Sequence, residues 1–265
     1  MNVIETKNLS RRFGAFTAVD GVSLALQEGE IFGLLGPNGA GKTTMIKMLT
    51  TLLPPSSGEA YVAGYDVHRQ AGQVRRVIGY VPQLLSADGN LTGYENLLIF
   101  AKIFGLARQP REERIQMLLE MMGLQDAAQR MVKTYSGGMI RRLEIAQSVI
   151  HQPRVLFLDE PTVGLDPIAR NSVWEHIKRL RDEFHTTILL TTHYMDEADG
   201  LCHRIAIMHQ GRLAAAGSPA ELKASVNGGT ATLDDVFSHY AGAALEAPGS
   251  YLETSRTRID AGRVG

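Results

Sequence analysis

The spacing of hydrophobic residues predicts two kinds of β-strand near the start of the chain. Apolar and polar residues alternate from Val3 to Leu9 and from Val22 to Leu26, which is typical of antiparallel strands with one face in water. Ile31 to Leu35 is instead a short continuous apolar run. Such a run indicates a strand that is covered on both faces, as in a parallel α/β sheet.

The same pattern continues along the chain and predicts an α/β core. Two more continuous apolar runs, Val155 to Leu158 and Thr187 to Thr191, predict further buried strands. Helices that pack on these strands are predicted at Lys42 to Leu53 and at Ala169 to Phe184. The last predicted strands form a hairpin over residues 204–216, which turns at a Gln-Gly pair.

Between the first two buried strands the periodicity is helical. Apolar residues recur at three- and four-residue spacing in three segments, Glu95 to Gly105, Arg111 to Met122 and Gly138 to Ile150. No strand pattern separates these segments. We therefore expect a helical insertion at about residues 84–150 within the α/β core.

The end of the chain predicts a short extension. Helices are predicted at Ala220 to Ala224 and at Leu233 to Ala241, and the polar residues 247–265 predict a loose tail. The predicted organisation is a main domain at residues 1–219 and a C-terminal extension at residues 220–265.

Composition indicates a globular chain with a neutral surface. The 265 residues include 27 basic and 28 acidic side chains, and 44% of them are hydrophobic, which is enough for a sizeable core. A near-neutral balance argues against electrostatic binding of nucleic acid, which requires a basic face. The single cysteine, Cys202, excludes an intrachain disulfide and fits a reducing compartment.

The sequence contains no evident membrane span. A spanning helix needs about 20 mostly apolar residues, whereas the best candidate, Leu97 to Ala107, is short and contains Lys102. The first residues lack the basic and apolar regions of a secretory signal. If the protein acts at a membrane, we expect a partner to hold it there.

Residues 36–43 fit the phosphate-binding loop pattern G-x-x-x-x-G-K-[ST], between a predicted buried strand and a predicted helix. The glycines let the backbone curl so that N–H groups point inward at a helix start. We expect Lys42 to contact the β- and γ-phosphates of a nucleotide and the Thr43 hydroxyl to bind Mg²⁺. The predicted nucleotide-binding residues here are Gly36, Pro37, Asn38, Gly39, Ala40, Gly41, Lys42, Thr43 and Thr44.

Two acidic residues follow the second buried strand. Asp159 is placed to bind Mg²⁺ directly or through water, and Glu160 is the candidate to polarise an attacking water. Adjacent acids at a strand end usually mark only a solvated turn. A phosphate-binding loop in the same chain favours the catalytic interpretation.

Further motifs give the chain a resemblance to ABC-type ATPases. The segments that resemble the Q-loop, signature, D-loop and switch histidine of that family are Val81-Pro82-Gln83, Tyr135-Ser136-Gly137-Gly138-Met139, Gly164-Leu165-Asp166-Pro167 and Thr191-Thr192-His193. Their order and spacing match the family from about Val3 to Pro219. The resemblance implies an α/β fold: a P-loop NTPase (RecA-like) core with an N-terminal antiparallel β subdomain and an inserted α-helical subdomain.

The resemblance also implies roles for single residues. Gln83 would bind Mg²⁺ through its amide oxygen and couple the nucleotide to the helical part, and His193 would contact the γ-phosphate and orient Glu160 or the water. Phe13 would stack on adenine, although an aromatic residue there can also serve packing. Asp166 would link two nucleotide sites across a dimer.

The signature segment predicts a second phosphate-attracting helix start. Ser136 is a good N-cap, and Gly137 and Gly138 leave the N–H groups of the next helix uncovered. One triphosphate cannot readily use both helix starts of one subunit. The resemblance implies a head-to-tail dimer, in which this segment contacts the γ-phosphate bound by Lys42 of the other copy. The alternative is that Ser136 is an ordinary cap.

Two departures from the common signature point to a subfamily. Tyr135 and Met139 replace its Leu and Gln, and together with Leu233 to Phe237 they resemble the daunorubicin- and multidrug-resistance type. Those ATPases work with separate ABC-2 permeases. The implied function is an ATP-hydrolysing, Mg²⁺-dependent motor of a drug- or lipid-type exporter. Its partners would be a second copy and an ABC-2 permease at the cytoplasmic face of the cell membrane, with no nucleic acid.

Two other classes of function are less compatible with the sequence. A soluble ABC-type ATPase acting on nucleic acid or ribosomes would carry a long coiled coil, a second cassette or a basic surface, and the sequence has none of these. A GTPase would need an Asn-Lys-x-Asp motif, which is absent. A small-molecule kinase would not explain Ser136-Gly137-Gly138.

Overall fold

The predicted α/β order of elements is present in the structure, a computed structural model that describes residues 2–226 and 231–245. The strands β1 to β10 are Asn2–Phe13, Phe16–Gln27, Ile31–Leu35, Ser57–Val62, Tyr65–Asp66, Ile78–Val81, Val155–Asp159, Thr187–Thr192, Arg204–His209 and Arg212–Gly217. The helices α1 to α9 are Lys42–Leu49, Ala71–Val77, Gly93–Ile103, Arg108–Met121, Gly137–Val149, Pro167–Phe184, Met195–Leu201, Pro219–Ala224 and Leu233–Leu245.

The strands form two sheets. One is antiparallel, with the order β2-β1-β4-β5, and the other has the order β10-β9-β3-β8-β7-β6. In the second sheet, β9, β3, β8, β7 and β6 are parallel, and β10 completes the predicted hairpin. Because parallel strands point the same way, the carboxyl ends of β3, β6, β7 and β8 lie at one edge of the sheet.

The continuous apolar runs are buried on both faces, as predicted. Along β3, Phe32 and Leu34 belong to a core shared with the antiparallel sheet and α1, whereas Ile31 and Leu35 belong to a second core formed with the other helices. All residues of β3, β7 and β8 are buried. The parallel sheet is therefore the middle layer of the molecule.

The predicted helical insertion is also present. The connection from β6 to β7 contains α3, α4 and α5. Thr92 and Glu95 form a capping box at the start of α3. Tyr135 donates a hydrogen bond of 2.6 Å to the carbonyl of Ala127 and lies against Gly93, which ties the loop before α5 to α3. The predicted fold class is thus confirmed, while the domain boundaries at about 84, 150 and 219 stay predictions.

Several elements differ from the sequence-based expectation. α1 ends at Leu49, short of the predicted Leu53, because Thr51 has a φ of 64°, which a right-handed helix does not allow. The patterns did not predict the short strands β4, β5 and β6 or the seven-residue helices α2 and α7. The tail predicted as loose lies beyond the described residues. Within residues 2–226 and 231–245, no helix is long and apolar enough to cross a membrane.

Candidate nucleotide-binding and catalytic site

Four loops leave the same edge of the parallel sheet. Gly36 follows β3, Gln83 follows β6 after a proline, Glu160 follows β7 and His193 follows β8. Parallel pairing aligns the strand ends, because Leu35 is the register partner of Thr192 and Asp159 is that of Thr191. The carboxyl edge of an α/β sheet is where such folds bind ligands.

The phosphate-binding loop curls around a cavity of about 320 Å³. Gly41 has a φ of 104°, in the region that side chains disfavour, and it caps α1 without any side-chain hydrogen bond. A Cβ on Gly36 would collide with the carbonyl oxygen of Met208. The bare start of α1 lies at this cavity, where the sequence predicts an anion site. The cavity is lined by Phe16, Ala18, Gln83, Glu160 and residues 37–44.

Lys42 places its charge at the base of this cavity. Its buried ammonium donates hydrogen bonds to the carbonyls of Gly36, at 2.8 Å, and Pro37, at 3.2 Å. Its Nζ also lies 3.2 Å from Oε1 of Glu160. A phosphate that enters the cavity therefore competes with Glu160 for the lysine.

Glu160 is the centre of the predicted catalytic group. Its backbone has a φ of 48°, which is uncommon outside glycine, and its N–H donates to the side chain of Thr191 at 3.0 Å. Its Oε2 accepts a hydrogen bond from Nε2 of Gln83 at 3.1 Å. Nδ1 of His193 lies 3.3 Å from the same oxygen, without hydrogen-bond geometry. The structure thus brings Lys42, Gln83, Glu160 and His193 together.

The oxygen atoms beside the loop fit a magnesium ion. The Thr43 hydroxyl donates to Oδ1 of buried Asp159 at 3.1 Å, and the Thr191 hydroxyl donates to the same oxygen at 2.6 Å. Gln83 uses its amide nitrogen on Glu160, which leaves the amide oxygen for another partner. Hydroxyl, carboxylate and amide oxygens are the ligands that Mg²⁺ prefers.

The turn that carries His193 is held by neighbouring side chains. The His193 ring lies 4.2 Å from the ring of Tyr194, centroid to centroid, and the guanidinium of Arg170 lies 4.2 Å from the centre of the tyrosine ring. Arg170 also pairs with Asp196 at 3.1 Å. These contacts fix the orientation of the imidazole toward Glu160.

Glu197 supports the loops after Glu160 and His193, and the sequence patterns did not identify it. Its Oε1 accepts hydrogen bonds from the Thr162 hydroxyl at 2.8 Å and from Nε1 of Trp174 at 2.9 Å. Burial raises the pKa of Glu197. The sequence does not indicate that Thr162 and Trp174, which lie far apart from Glu197 along the chain, bind the same carboxylate.

The predicted signature residues lie apart from the cavity. Ser136 caps α5 by accepting a hydrogen bond from the N–H of Met139 at 3.3 Å, as its residue type predicts. Gly138 faces α6, where an added Cβ would lie 3.0 Å from Cβ of Ala169. The glycine, which is itself buried, therefore permits close packing of α5 on α6. None of residues 136–138 lines the cavity.

Two other predicted contacts also lie outside the cavity lining. Asp166 caps α6, with Oδ1 accepting hydrogen bonds from the N–H groups of residues 168 and 169 at 3.0 and 2.9 Å. Phe13 is 46% exposed, and the guanidinium of Arg11 lies 4.7 Å from its ring centre. Phe16, the register partner of Phe13, lines the cavity instead. That hairpin pairing is the signal that would have identified Phe16.

Several known proteins are similar in sequence to this chain. The profile of the ABC transporter family matches residues 19–163. The daunorubicin/doxorubicin resistance ATP-binding protein DrrA of Streptomyces peucetius is 49% identical, over 84% of this chain and 67% of its own length. The linearmycin resistance ATP-binding protein LnrL of Bacillus subtilis is 40% identical, over 86% and 73%. The probable multidrug protein YbhF of Escherichia coli is 45% identical, but the chain spans only 38% of its length.

Solved structures of ATP-binding subunits of ABC transporters have a similar fold. An ATP-binding subunit of an ABC transporter superposes with a TM-score of 0.79 at 29% identity, covering 90% of this chain and 99% of that chain. The ATP-binding cassette MJ1267, in its ADP conformation, gives a TM-score of 0.76 at 26% identity, covering 83% and 92%. On the matched family profile and the relatives of 40–49% identity, the chain belongs to the ABC transporter family, as an ATP-binding cassette that hydrolyses ATP.

Proposed function

We propose that this chain is the motor subunit of a drug- or lipid-type exporter, which drives a separate ABC-2 permease at the cytoplasmic face of the membrane. The observation that carries the proposal is the incomplete site. Lys42 and Glu160 line the cavity and His193 lies beside Glu160, while the helix start at residues 136–138 lies outside the cavity. The names of DrrA and LnrL, both resistance ATP-binding proteins, support the exporter class.

Hydrolysis begins when the phosphates of ATP enter the loop. The N–H groups of the loop and the Lys42 ammonium bind the phosphates, and the γ-phosphate takes the place of Glu160 beside Lys42. Glu160 then accepts a hydrogen bond from a water, orients it for in-line attack on the γ-phosphorus and takes its proton as the new O–P bond forms. The bond to the β-phosphate oxygen breaks, and its electron pair leaves with ADP.

Two side chains hold the carboxylate for this step. Gln83 donates to Oε2 of Glu160, and His193 approaches the same oxygen from β8. Both residues thus border the carboxylate that orients the water. Thr43, Asp159 and Gln83 would hold Mg²⁺, which supplies charge neutralisation at the phosphates.

A second copy completes the site. The start of α5 is the positive end of a helix dipole, which attracts phosphate, and Ser136 and Gly137 at that start are exposed. We propose that residues 136–138 of the second copy contact the γ-phosphate bound at Lys42, and that Asp166 lies at the same interface. ATP then joins the two copies, and hydrolysis separates them.

Exposed apolar residues directly after Gln83 and at the end of α3 are the proposed permease contact. Leu84 is 81% exposed and Ile103 is 71% exposed, and Leu85 and Phe104 are also exposed. We call these four residues the docking residues. Other apolar side chains of α3, such as Leu97 and Ala101, are buried in the core and are not available for docking. Since Leu84 follows Gln83 directly, a bound permease helix would adjoin the nucleotide site.

The docking residues can be tested with a co-expressed permease. We expect Leu84→Asp and Ile103→Asp to keep the basal ATPase rate and to lose recovery of the protein with the membrane fraction, because a charge opposes burial against an apolar helix. Leu52→Asp is the matched control, since Leu52 is 60% exposed elsewhere and should change neither readout. Wild-type protein that stays off membranes containing the permease would contradict the exporter proposal.

The adenine contact is a separate prediction. We expect Phe13→Ala to weaken ATP binding about tenfold, within the range that loss of a base–aromatic stack produces, and to leave inorganic triphosphate binding unchanged. Phe16→Ala is the comparison, because Phe16 lines the cavity. Isothermal titration of both ligands measures the two affinities. A loss of ATP affinity in Phe16→Ala alone would show that the adenine stacks on Phe16 and not on Phe13.

A soluble ABC-type ATPase that acts on nucleic acid or ribosomes is the less favoured alternative. The relatives named above are described as resistance or multidrug transporter proteins. Such an ATPase would be stimulated by nucleic acid or ribosomes and not by a permease in membranes. The membrane-recovery experiment therefore separates the two functions.

A further inference from the structure

Buried polar residues form a stripe along α5. Arg141, Glu144 and Gln147 are spaced three residues apart on one face of the helix, and each is 2–3% exposed. Burying such groups costs free energy unless they are hydrogen-bonded. The partners of this stripe lie on the segment 82–88, which leads from Gln83 toward α3, and on α3 itself.

Arg141 binds the backbone carbonyls at the start of this segment. Nη1 donates to the carbonyl of Pro82 and Nη2 donates to that of Gln83, both at 2.8 Å. Nη1 also lies 3.0 Å from Oε2 of Glu144, so the guanidinium is paired as well as hydrogen-bonded. A planar guanidinium with rigid, divergent donors can reach two carbonyls and a carboxylate at once, and an ammonium cannot reproduce this geometry.

Glu144 holds the other part of the segment. Its Oε1 accepts hydrogen bonds from the N–H of Ser86, from the Ser86 hydroxyl at 3.2 Å and from the N–H of Ala87 at 3.2 Å. Gln147 continues the stripe by donating to Asn96 at 3.1 Å. The Arg141–Glu144 pair therefore binds the carbonyls of residues 82 and 83 and the N–H groups of residues 86 and 87.

The same helix begins at the signature residues. Arg141 lies three to five residues after Ser136, Gly137 and Gly138, so the pair and the signature residues share α5. At the other end of the contact, the backbone of Gln83 is fixed by Arg141 while its side chain donates to Glu160. A continuous path of hydrogen bonds thus runs from Glu160 through Gln83 to the signature helix.

We propose that Arg141 and Glu144 are positioning residues that lock the Gln83 loop to α5, so that Gln83 and the signature helix start move as one unit. Neither side chain lines the nucleotide cavity, so both act through Gln83. The inference rests on the proposed roles of Gln83 and residues 136–138, and it is independent of the permease and of the cargo. Its consequence is that occupation of one site is transmitted to the segment that completes the other.

The first test separates binding from turnover. We expect Arg141→Lys and Glu144→Gln to lower kcat at least tenfold, toward the roughly 100-fold loss that a misplacement of about 1 Å produces. The Kd for ATP should stay within about twofold, because the phosphate-binding loop is untouched. Arg179→Lys is the matched control: Arg179 lies on α6, donates to the carbonyl of Met121 at 3.2 Å and pairs with Glu183, outside both the segment 82–88 and residues 136–138. It should keep kcat.

The second test reads the coupling directly by hydrogen–deuterium exchange. In the wild-type protein, a non-hydrolysable ATP analogue should change protection at residues 82–88 and at the first turn of α5 together. In Arg141→Lys and Glu144→Gln we expect the change at the first turn of α5 to disappear. A lower melting temperature with normal kcat and normal coupled protection would show a merely structural pair and overturn the proposal.

A third variant shows which proposal fails. Gln83→Ala should lower kcat if Gln83 has its proposed role at Glu160. Slow turnover in Gln83→Ala with normal turnover in Arg141→Lys and Glu144→Gln would overturn the positioning role alone. Normal turnover in Gln83→Ala would overturn the role of Gln83 and, with it, the inference built on that residue.

Discussion

Glu160→Gln is expected to bind ATP and to hydrolyse it about 10²- to 10⁴-fold more slowly, the range that a positioned general base contributes. The amide is isosteric but cannot take a proton from the attacking water. ATP binding should not weaken, because the substitution removes the carboxylate that pairs with Lys42 at 3.2 Å. Steady-state kinetics give kcat, and titration with ATP gives the Kd. Wild-type turnover would remove Glu160 from the mechanism.

The same variant should accumulate as a dimer. If ATP joins two copies and hydrolysis separates them, slow hydrolysis leaves the ATP-bound pair intact. Size-exclusion chromatography with ATP measures this, and Glu28→Gln is the control, because Glu28 pairs with Arg154 at a half-exposed position remote from the cavity lining. A Glu160→Gln protein that stays monomeric with saturating ATP would contradict the shared site.

Lys42→Ala is expected to lose ATP affinity about 10- to 150-fold, because hydrogen bonds to charged groups contribute about 1.5–3 kcal/mol each. The ammonium is the buried cation at the base of the cavity, so no other side chain of the lining replaces it. Lys47→Ala is the control, since Lys47 lies on the exposed side of the same helix. Isothermal titration with ATP measures both variants. Equal affinity in Lys42→Ala would show that the phosphates bind elsewhere.

The parts of the fold that could be predicted are those with local signals. Ile31–Leu35 is a continuous apolar run, and the strand is buried on both faces because helices cover one side and the antiparallel sheet the other. The phosphate-binding loop also has a local signal, since its glycines and Lys42 are adjacent in sequence. The end of α1 was predicted wrongly, because the backbone of Thr51 overrides a helical pattern of side chains.

Contacts between distant segments were not predictable in the same way. The Thr191 hydroxyl reaches Asp159 because two parallel strands end in register, and Arg141 reaches Gln83 because α5 packs on the Gln83 loop. The sequence patterns give residue types at these positions but not their partners. Of the residues that the structure adds to the site, Thr191 and Glu197 belong to this class, whereas Phe16 pairs with Phe13 across a short hairpin.

The Lys42–Glu160 pair has a consequence for the choice among cellular anions. The lysine charge is already balanced by a carboxylate of the same chain, at 3.2 Å. A small anion such as sulfate would have to replace that carboxylate with few contacts in return. A triphosphate can engage the whole loop as well, so its additional hydrogen bonds offset the exchange. We therefore expect the Glu160 carboxylate to lower the affinity of the site for small cellular anions more than its affinity for polyphosphates.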